Sequence, residues 1–397
     1  MTMTKSVKSY AIMLPWSIEL PGGVNEVVRN LIQEFRLAGE FHPIFLEGHW
    51  PSAKPVVEKR KDYTHIRMRI RGLDNTNIRA TVAFFLSLPA TLWNLASFVK
   101  DHHIVAINIH FPFLDALNWI MLRKLGLFSG KVILSFHGSE IRKAHGLRGW
   151  ARFVYRYLLR HADMVVSCSK DLQNEVLALE PRAKGAVIYN GIEEGRFHSE
   201  TSPAMVPAEL QDKELILNIG KYEYRKAHDL LLRAFRQVLE KWPTAHLVIV
   251  GATGPEIDKT KAVAFDSGLG EHVTFYHDLP HSAIPGMLDM AQVFVLSSRW
   301  VPGKMGEGFP VAILEAGVAG KPVVTTRTCG AAEIITDGVT GRLVPLEDEK
   351  ALADAICEML DNKEKARIMA QNLRRMVLTE YTWKRAYQSY VELCRSS

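Results

Sequence analysis

Glu315 is the residue whose surroundings first point to chemistry. It stands in "EGFPVAILEAGVAG" (307–320), where Pro310 suits the first turn of a helix. Helical spacing puts Val311, Ala312, Val318 and Ala319 around it, so a carboxylate lies on an apolar, core-facing stripe. Such a group is costly unless donors reach it. A sugar diol supplies two donors; a buried Arg or a backbone N–H would serve as well. Glu307 lies just outside the same helix and can face the same ligand. Gly308, before Pro310, leaves N–H groups at the helix start aimed at an anion.

Three cations, Lys221, Arg225 and Lys226, stand in "GKYEYRKAHDLLLRAF" between a strand ending near Gly220 and a helix. A strand-to-helix loop is where phosphates are held, through charge-assisted bonds of roughly 1.5–3 kcal/mol each. A solvated basic loop has the same composition. Gly22 and Gly23 fall between the first strand and first helix, where glycine lets a phosphate approach the backbone, although a plain turn has the same pair. His137, in "SFHGSE", follows a strand, with Glu140 three residues on; His110 in "NIHFPF" has a similar place and a weaker case.

Two segments bear on surfaces. Residues 141–160 carry six Lys/Arg and no acid, with Arg148, Arg152, Arg156 and Arg160 every fourth position and Arg142 upstream. That stripe suits an anionic membrane surface or a phosphate-bearing acceptor, and equally a solvated helix face. Residues 81–99 hold no charge over 19 positions, near the length of a membrane span. Pro89, Asn94 and several Ser/Thr favour instead a buried or interfacial helix kinked at Pro89.

The elements that must carry these residues alternate short β-branched runs with amphipathic helices, the pattern of a parallel sheet with crossover helices. Strands are expected at 10–14, 41–46, 65–70, 103–109, 131–136, 163–168 and 186–189. After a Ser/Thr/Pro-bearing linker at 196–212, they resume at 214–219, 245–250, 272–276, 292–296, 322–325 and 341–344. Val24, Val27, Val28, Leu31, Ile32 and Phe35 mark the first helix, which Gly39 stops. Two doubly wound domains facing an interdomain cleft follow, with ligands expected beyond the strand ends.

The 397 residues are 47% hydrophobic and 23% charged, which excludes a disordered, collagen-like or disulfide-scaffold chain. The net charge of +6 divides unevenly: residues 1–200 carry 26 basic and 18 acidic groups, the rest 23 and 25. Four scattered cysteines without a CxxC pair fit a reduced, cytoplasmic setting. The opening apolar run is cut short by Pro15 and Glu19 and reads as a strand, not a signal peptide. No GxGxxG follows a strand, no phosphate-binding GxxxxGK[ST] occurs, and HExxH and a DxD pair are missing. Nucleic-acid binding has only the basic bias behind it.

Taken together these segments resemble a retaining glycosyltransferase of family four, with the two-domain GT-B fold. The likeness runs through "PGGVNEVV", "FHGSE", "YNGIEEGRF", "NIGKYEYRKAHDLLLRAF", "LVIVG", "EGFPVAILEAGVAGKPVV", "DGVTGRLVP" and the closing "YTWKRAYQSYVELC". It implies an acceptor domain over 1–200, a nucleotide-sugar donor domain over 213–379, and a C-terminal helix at about 380–397 crossing back onto the first. Glu315 would bind the nucleotide ribose. Glu307 and the backbone at Gly308 and Phe309 would contact the transferred sugar, with Pro310 also in the donor site; Lys226 and Lys221 would meet the diphosphate with Gly22 and Gly23, and His137 a sugar hydroxyl or the reacting centre. The family typically has Arg at Lys221 and Gly at Ala227.

The resemblance implies a metal-independent hexosyltransferase with no cofactor. Its donor would be a UDP- or GDP-sugar and its acceptor a glycan or lipid, in cell-surface polysaccharide or glycolipid synthesis. Glu140, Arg142, Arg148, Arg152 and Arg156 would serve the acceptor or an anionic membrane, at the inner membrane face. A nucleotide-sugar epimerase of the same fold and a non-catalytic membrane-associated scaffold are the other two readings.

Overall fold

A computed structural model describes residues 7–20, 22–52, 54–73, 77–193, 195, 210, 213–301 and 308–395. It divides into two compact units, Met1–Gly191 with Trp383–Ser397, and Ile192–Thr382.

The first unit holds strands β1 (Ser9–Leu14), β2 (His42–Glu47), β3 (Val56–Lys59), β4 (Thr64–Arg67), β5 (Ile104–His110), β6 (Lys131–Phe136), β7 (Met164–Ser167) and β8 (Gly185–Val187). Its helices are α1 (Gly23–Ala38), α2 (Ile78–Asp101), α3 (Leu117–Lys124), α4 (Ser139–His145), α5 (Gly149–His161) and α6 (Lys170–Leu179). The sheet order is β3-β4-β2-β1-β5-β6-β7-β8. All pairs are parallel except β3 on β4. β1 is buried at every position, as a strand covered by helices on both faces must be.

The second unit holds β9 (Glu214–Ile219), β10 (Ala245–Gly251), β11 (Val273–His277), β12 (Val293–Leu296), β13 (Val323–Thr326) and β14 (Arg342–Val344). Between and after them run α7 (His228–Lys241), α8 (Ile257–Asp266), α9 (Ile284–Met290), α10 (Val311–Val318), α11 (Cys329–Ile334), α12 (Glu349–Asp361) and α13 (Lys363–Glu380). Its sheet runs β11-β10-β9-β12-β13-β14, wholly parallel. Each unit is therefore a Rossmann-like doubly wound α/β layer.

The last helix, α14 (Trp383–Arg395), belongs to the first unit. Tyr387 packs edge-on against Phe35 of α1 at 4.8 Å, Tyr390 Oη lies 3.1 Å from Ser135 Oγ, and Arg395 pairs with Glu40 at 2.7 Å. The chain leaves the first unit after Gly191 and returns at Trp383, and the flanking residues are joined: Ile192 N–H donates to the Tyr381 carbonyl at 2.9 Å. The division thus falls nine residues before the boundary expected at 200, and most of the expected linker, 196–209 and 211–212, lies outside the described residues.

Strand order decides where ligands sit in such sheets. They bind beyond the carboxyl ends at the place where the order reverses. In the first unit that place is β1/β5, followed by the loop of Gly22 and Gly23 and by His110. In the second it is β9/β12, followed by the Lys221–Lys226 loop and by the segment entering α10.

Candidate functional site

In the second unit the loop after β9 folds Tyr224–Lys226 into one 3-10 turn and enters α7 through Ala227. Lys226 is buried, and its stem crosses Gly220: a Cβ there would come within 3.1 Å of Lys226 Cδ. Glycine at 220 is therefore what lets a lysine lie flat over the strand end. Ala227 adopts the left-handed region at φ 50°, at a cost of roughly 1–2 kcal/mol for a residue with a Cβ. Its fully buried methyl returns about 0.8 kcal/mol. Ser297 Oγ, just past β12, donates to the carbonyls of Lys226 and Ala227 at 3.0 and 3.2 Å, holding the turn in place.

The other two cations of the loop are shared with one acid. Lys221 and Arg225 lie 3.0 and 2.9 Å from the Glu223 carboxylate. Burial alone would raise the Glu223 pKa, but these two bonds hold it below its ordinary value. Half-exposed Lys221 thus brings less uncompensated charge to the loop than its sequence suggests.

Arg299, a residue the sequence reading passed over, ties this region together. It is buried, and its guanidinium bonds Glu347 at 2.8 and 3.1 Å and Asp229 at 2.9 Å. The guanidinium also lies over the Tyr224 ring at 4.4 Å, and the Arg299 backbone N–H donates to the Arg225 carbonyl at 2.8 Å. Removing one side of a buried ion pair costs up to 3–5 kcal/mol, discounted here because Glu347 and Asp229 reach solvent. Arg299→Ala should cost about 2 kcal/mol, a Tm drop of roughly 4–8 °C for a unit of this size, readable by calorimetry. A drop under a degree would refute the tie.

Helix α10 begins after Pro310, and Glu315 is buried on it, 6% exposed. Its sequence neighbours left its partner open between a ligand, an Arg and a backbone N–H. The structure supplies His281, whose Nε2 lies 2.9 Å from Glu315 Oε1. No other hydrogen bond to this carboxylate occurs among the described residues. Phe309, beside Gly308, packs its ring against Tyr381 at 5.6 Å. Glu307 lies outside the described residues.

In the first unit Gly22 precedes α1 and Gly23 is its first residue, and a Cβ at either would meet nothing within 4 Å. The helix start is thus sterically open within this unit. The loop before it is pinned by Asn25, which accepts from Trp16 at 2.7 Å and donates to the carbonyls of Ser17 and Leu20. His137 follows β6, and its Nε2 lies 2.9 Å from Nδ1 of His110 at the end of β5. Gly138, at φ 131°, turns the chain into α4. Buried Glu140 accepts the His137 backbone N–H.

Arg142 lies in α4, and Arg148 stands immediately before α5 without a side-chain capping bond. Arg152 and Arg156 lie on α5. Arg156 and Arg160 turn to the buried Glu180, each at 3.0 Å. Half of the basic stripe is thereby engaged with this protein's own carboxylate.

Burial keeps several imidazoles neutral. It lowers His137, His228 and His246 to about 4, with Lys226 adding to the effect at His228 and Lys213 at His246, and it lowers His110 well below the ordinary value. Above pH 6.5 these groups are neutral in both folded and unfolded chains. Between 6.5 and 4 the unfolded chain takes up protons that the fold refuses, so stability is lost as pH falls through that window. The slope is up to about 1.4 kcal/mol per pH unit for each group. The urea midpoint should therefore drop steeply between pH 7 and 5. A flat profile there would show that these imidazoles are protonated in the fold.

Against known proteins, residues 21–196 match the family model described as Glycosyltransferase Family 4, and residues 205–376 match Glycosyl transferases group 1. A GDP-mannose-dependent alpha-(1-6)-phosphatidylinositol monomannoside mannosyltransferase of Mycolicibacterium smegmatis is 27% identical, over 77% of this chain and 80% of its own. The amylovoran biosynthesis glycosyltransferase AmsK of Erwinia amylovora is 28% identical, over 78% and 73%. Among solved structures, Anabaena HepE in complex with UDP superposes with a TM-score of 0.75 at 16% identity, covering 98% of this chain and all of that one. Sucrose-phosphate synthase of Thermosynechococcus elongatus gives 0.73 at 21%, covering 98% of each. At those identities the structural likeness establishes the fold. With both units matched by family, and with the strand-end residues of each placed as described, the chain belongs to the family four, group 1 glycosyltransferases of GT-B fold.

Proposed function

We propose that this protein transfers a hexose from a nucleoside-diphosphate sugar to an acceptor hydroxyl with retention at the anomeric carbon, in cell-surface polysaccharide or glycolipid synthesis. The observation that carries it is the pair at the β9/β12 strand ends: a lysine buried across Gly220 and a buried carboxylate on α10, one suited to a diphosphate and the other to a diol. The relatives, one named a phosphatidylinositol monomannoside mannosyltransferase and the other an amylovoran biosynthesis glycosyltransferase, support the acceptor class. Lys226 and helix N–H groups neutralise the charge that gathers on the departing diphosphate, so no metal is called for. As the bond from the anomeric carbon to the phosphate oxygen breaks, the acceptor oxygen bonds to that carbon. The acceptor's proton passes to the leaving phosphate. His137, held by His110, meets a sugar hydroxyl, and Glu307 meets the transferred sugar.

The test is product analysis with UDP-, GDP- and ADP-sugars and a lipid-linked acceptor, with and without chelator. Acceptor-dependent release of nucleoside diphosphate, an α-linked product from an α-linked donor, and indifference to chelator are expected. Donor conversion without any acceptor would favour the epimerase reading. Binding of none of these donors would remove the enzyme reading.

A further inference from the structure

The uncharged segment expected to be a buried or interfacial helix is α2, and its outer face is open. Phe84, Leu92, Leu95 and Phe98 point inward and are buried, whereas Val82, Phe85, Leu86 and Trp93 are 50, 58, 78 and 75% exposed. Those four recur at i, i+3, i+4 and i+11, so they share one side of the helix. No Asp, Glu, Lys or Arg occurs from Ala80 to Val99. The segment is apolar enough to cross a membrane by composition, but its inner half is packed into the first unit, so it lies along the surface.

Charge stands at one end of this stripe. Arg79, Val82, Ala83 and Leu86 line one groove of about 300 Å³. Ala83 also borders a second, of about 510 Å³, lined by Trp50, Arg69 and Arg71. Neither Arg69, Arg71 nor Arg79 has a carboxylate partner among the described residues. An apolar helix face ending in arginines that have no carboxylate partner among the described residues, with an exposed Trp and Phe, is the composition that settles at the headgroup level of an anionic bilayer. On α5, by contrast, Arg156 and Arg160 are bound to Glu180.

We propose that α2 is the membrane-docking surface of this protein: Val82, Phe85, Leu86 and Trp93 enter an anionic lipid surface while Arg69, Arg71 and Arg79 meet its headgroups. The glycolipid synthesis proposed above gives such docking a purpose, but lipid binding is measured without any sugar donor, so either idea can fail alone.

The experiment is co-sedimentation of the full chain with phosphatidylcholine vesicles, with and without phosphatidylglycerol, at low and high salt. Wild type should bind the anionic vesicles, and less at high salt. At about 1 kcal/mol per surface cation, the triple variant Arg69→Gln, Arg71→Gln, Arg79→Gln should bind roughly 100-fold more weakly. Phe85→Ser with Leu86→Ser and Trp93→Ser should bind no better than wild type does to phosphatidylcholine, with an unchanged melting curve. Arg148→Gln with Arg152→Gln should bind as wild type. No binding by wild type, full binding by either α2 variant, or binding lost in the α5 variant would overturn the assignment. So would a concentration-dependent dimer that the serine variant converts to monomer, since a second copy would then cover the stripe.

Discussion

Replacing Glu315 with alanine should leave the free protein about as stable as before and nearly abolish its stabilisation by a nucleotide sugar. The carboxylate is buried, but its one hydrogen-bond partner among the described residues, His281, is more than half exposed, so the imidazole released by the change turns to water and none of the described buried groups is orphaned. The effect then falls on the ligand. A carboxylate bridging two ribose hydroxyls makes two charge-assisted bonds of roughly 1.5–3 kcal/mol each. Losing about 3 kcal/mol weakens binding roughly 100-fold. At a donor concentration of about 100 times the wild-type Kd, stabilisation should fall from about 2.7 to about 0.4 kcal/mol. Glu315→Gln, which keeps the shape and one acceptor, should fall between. A thermal shift in Glu315→Ala equal to that of wild type would remove the ribose from this residue.

Much of the fold was legible because parallel strands buried on both faces read as short apolar runs. Thirteen of the fourteen strands among the described residues lie where such runs occur. β3 was missed because Val56–Lys59 is a half-exposed edge strand with no continuous apolar run. Ala227 stands where the family typically has glycine, and its left-handed φ gives the physical reason.

The site was legible only as residue types. Nothing in the spacing pairs His281 with Glu315, 34 residues away, or Arg299 with Asp229 and Glu347, because a parallel sheet joins distant segments only at its strand ends. The arginine stripe of α5 misled for a related reason. Periodicity shows that four guanidinium groups share a face, but not that a buried Glu180, which follows β7 and α6 in the chain, takes two of them. A burial argument would have helped: a core carboxylate such as Glu180 must find cations.

Lys226→Ala should damage turnover far more than donor binding. An ammonium beside the diphosphate gains most when the bond to the sugar breaks and charge gathers on the leaving oxygens, so its removal is felt chiefly in kcat. Losing one such preorganised group costs about 10²–10³-fold in kcat, or roughly 2.7–4 kcal/mol. Position matters as much as charge. Gly220→Ala keeps the lysine but puts a Cβ at 3.1 Å from its Cδ, a contact that forces the stem to shift, and a small displacement of a catalytic group can cost about 10²-fold. Lys221→Ala should change kcat by only a few-fold, since that lysine is half-exposed and already paired with Glu223. The comparison is single-turnover kinetics on the three variants at saturating donor, with melting curves as the control for folding. Lys226→Ala turning over within tenfold of wild type would move the leaving-group cation elsewhere. Lys221→Ala proving the more damaged would name its place.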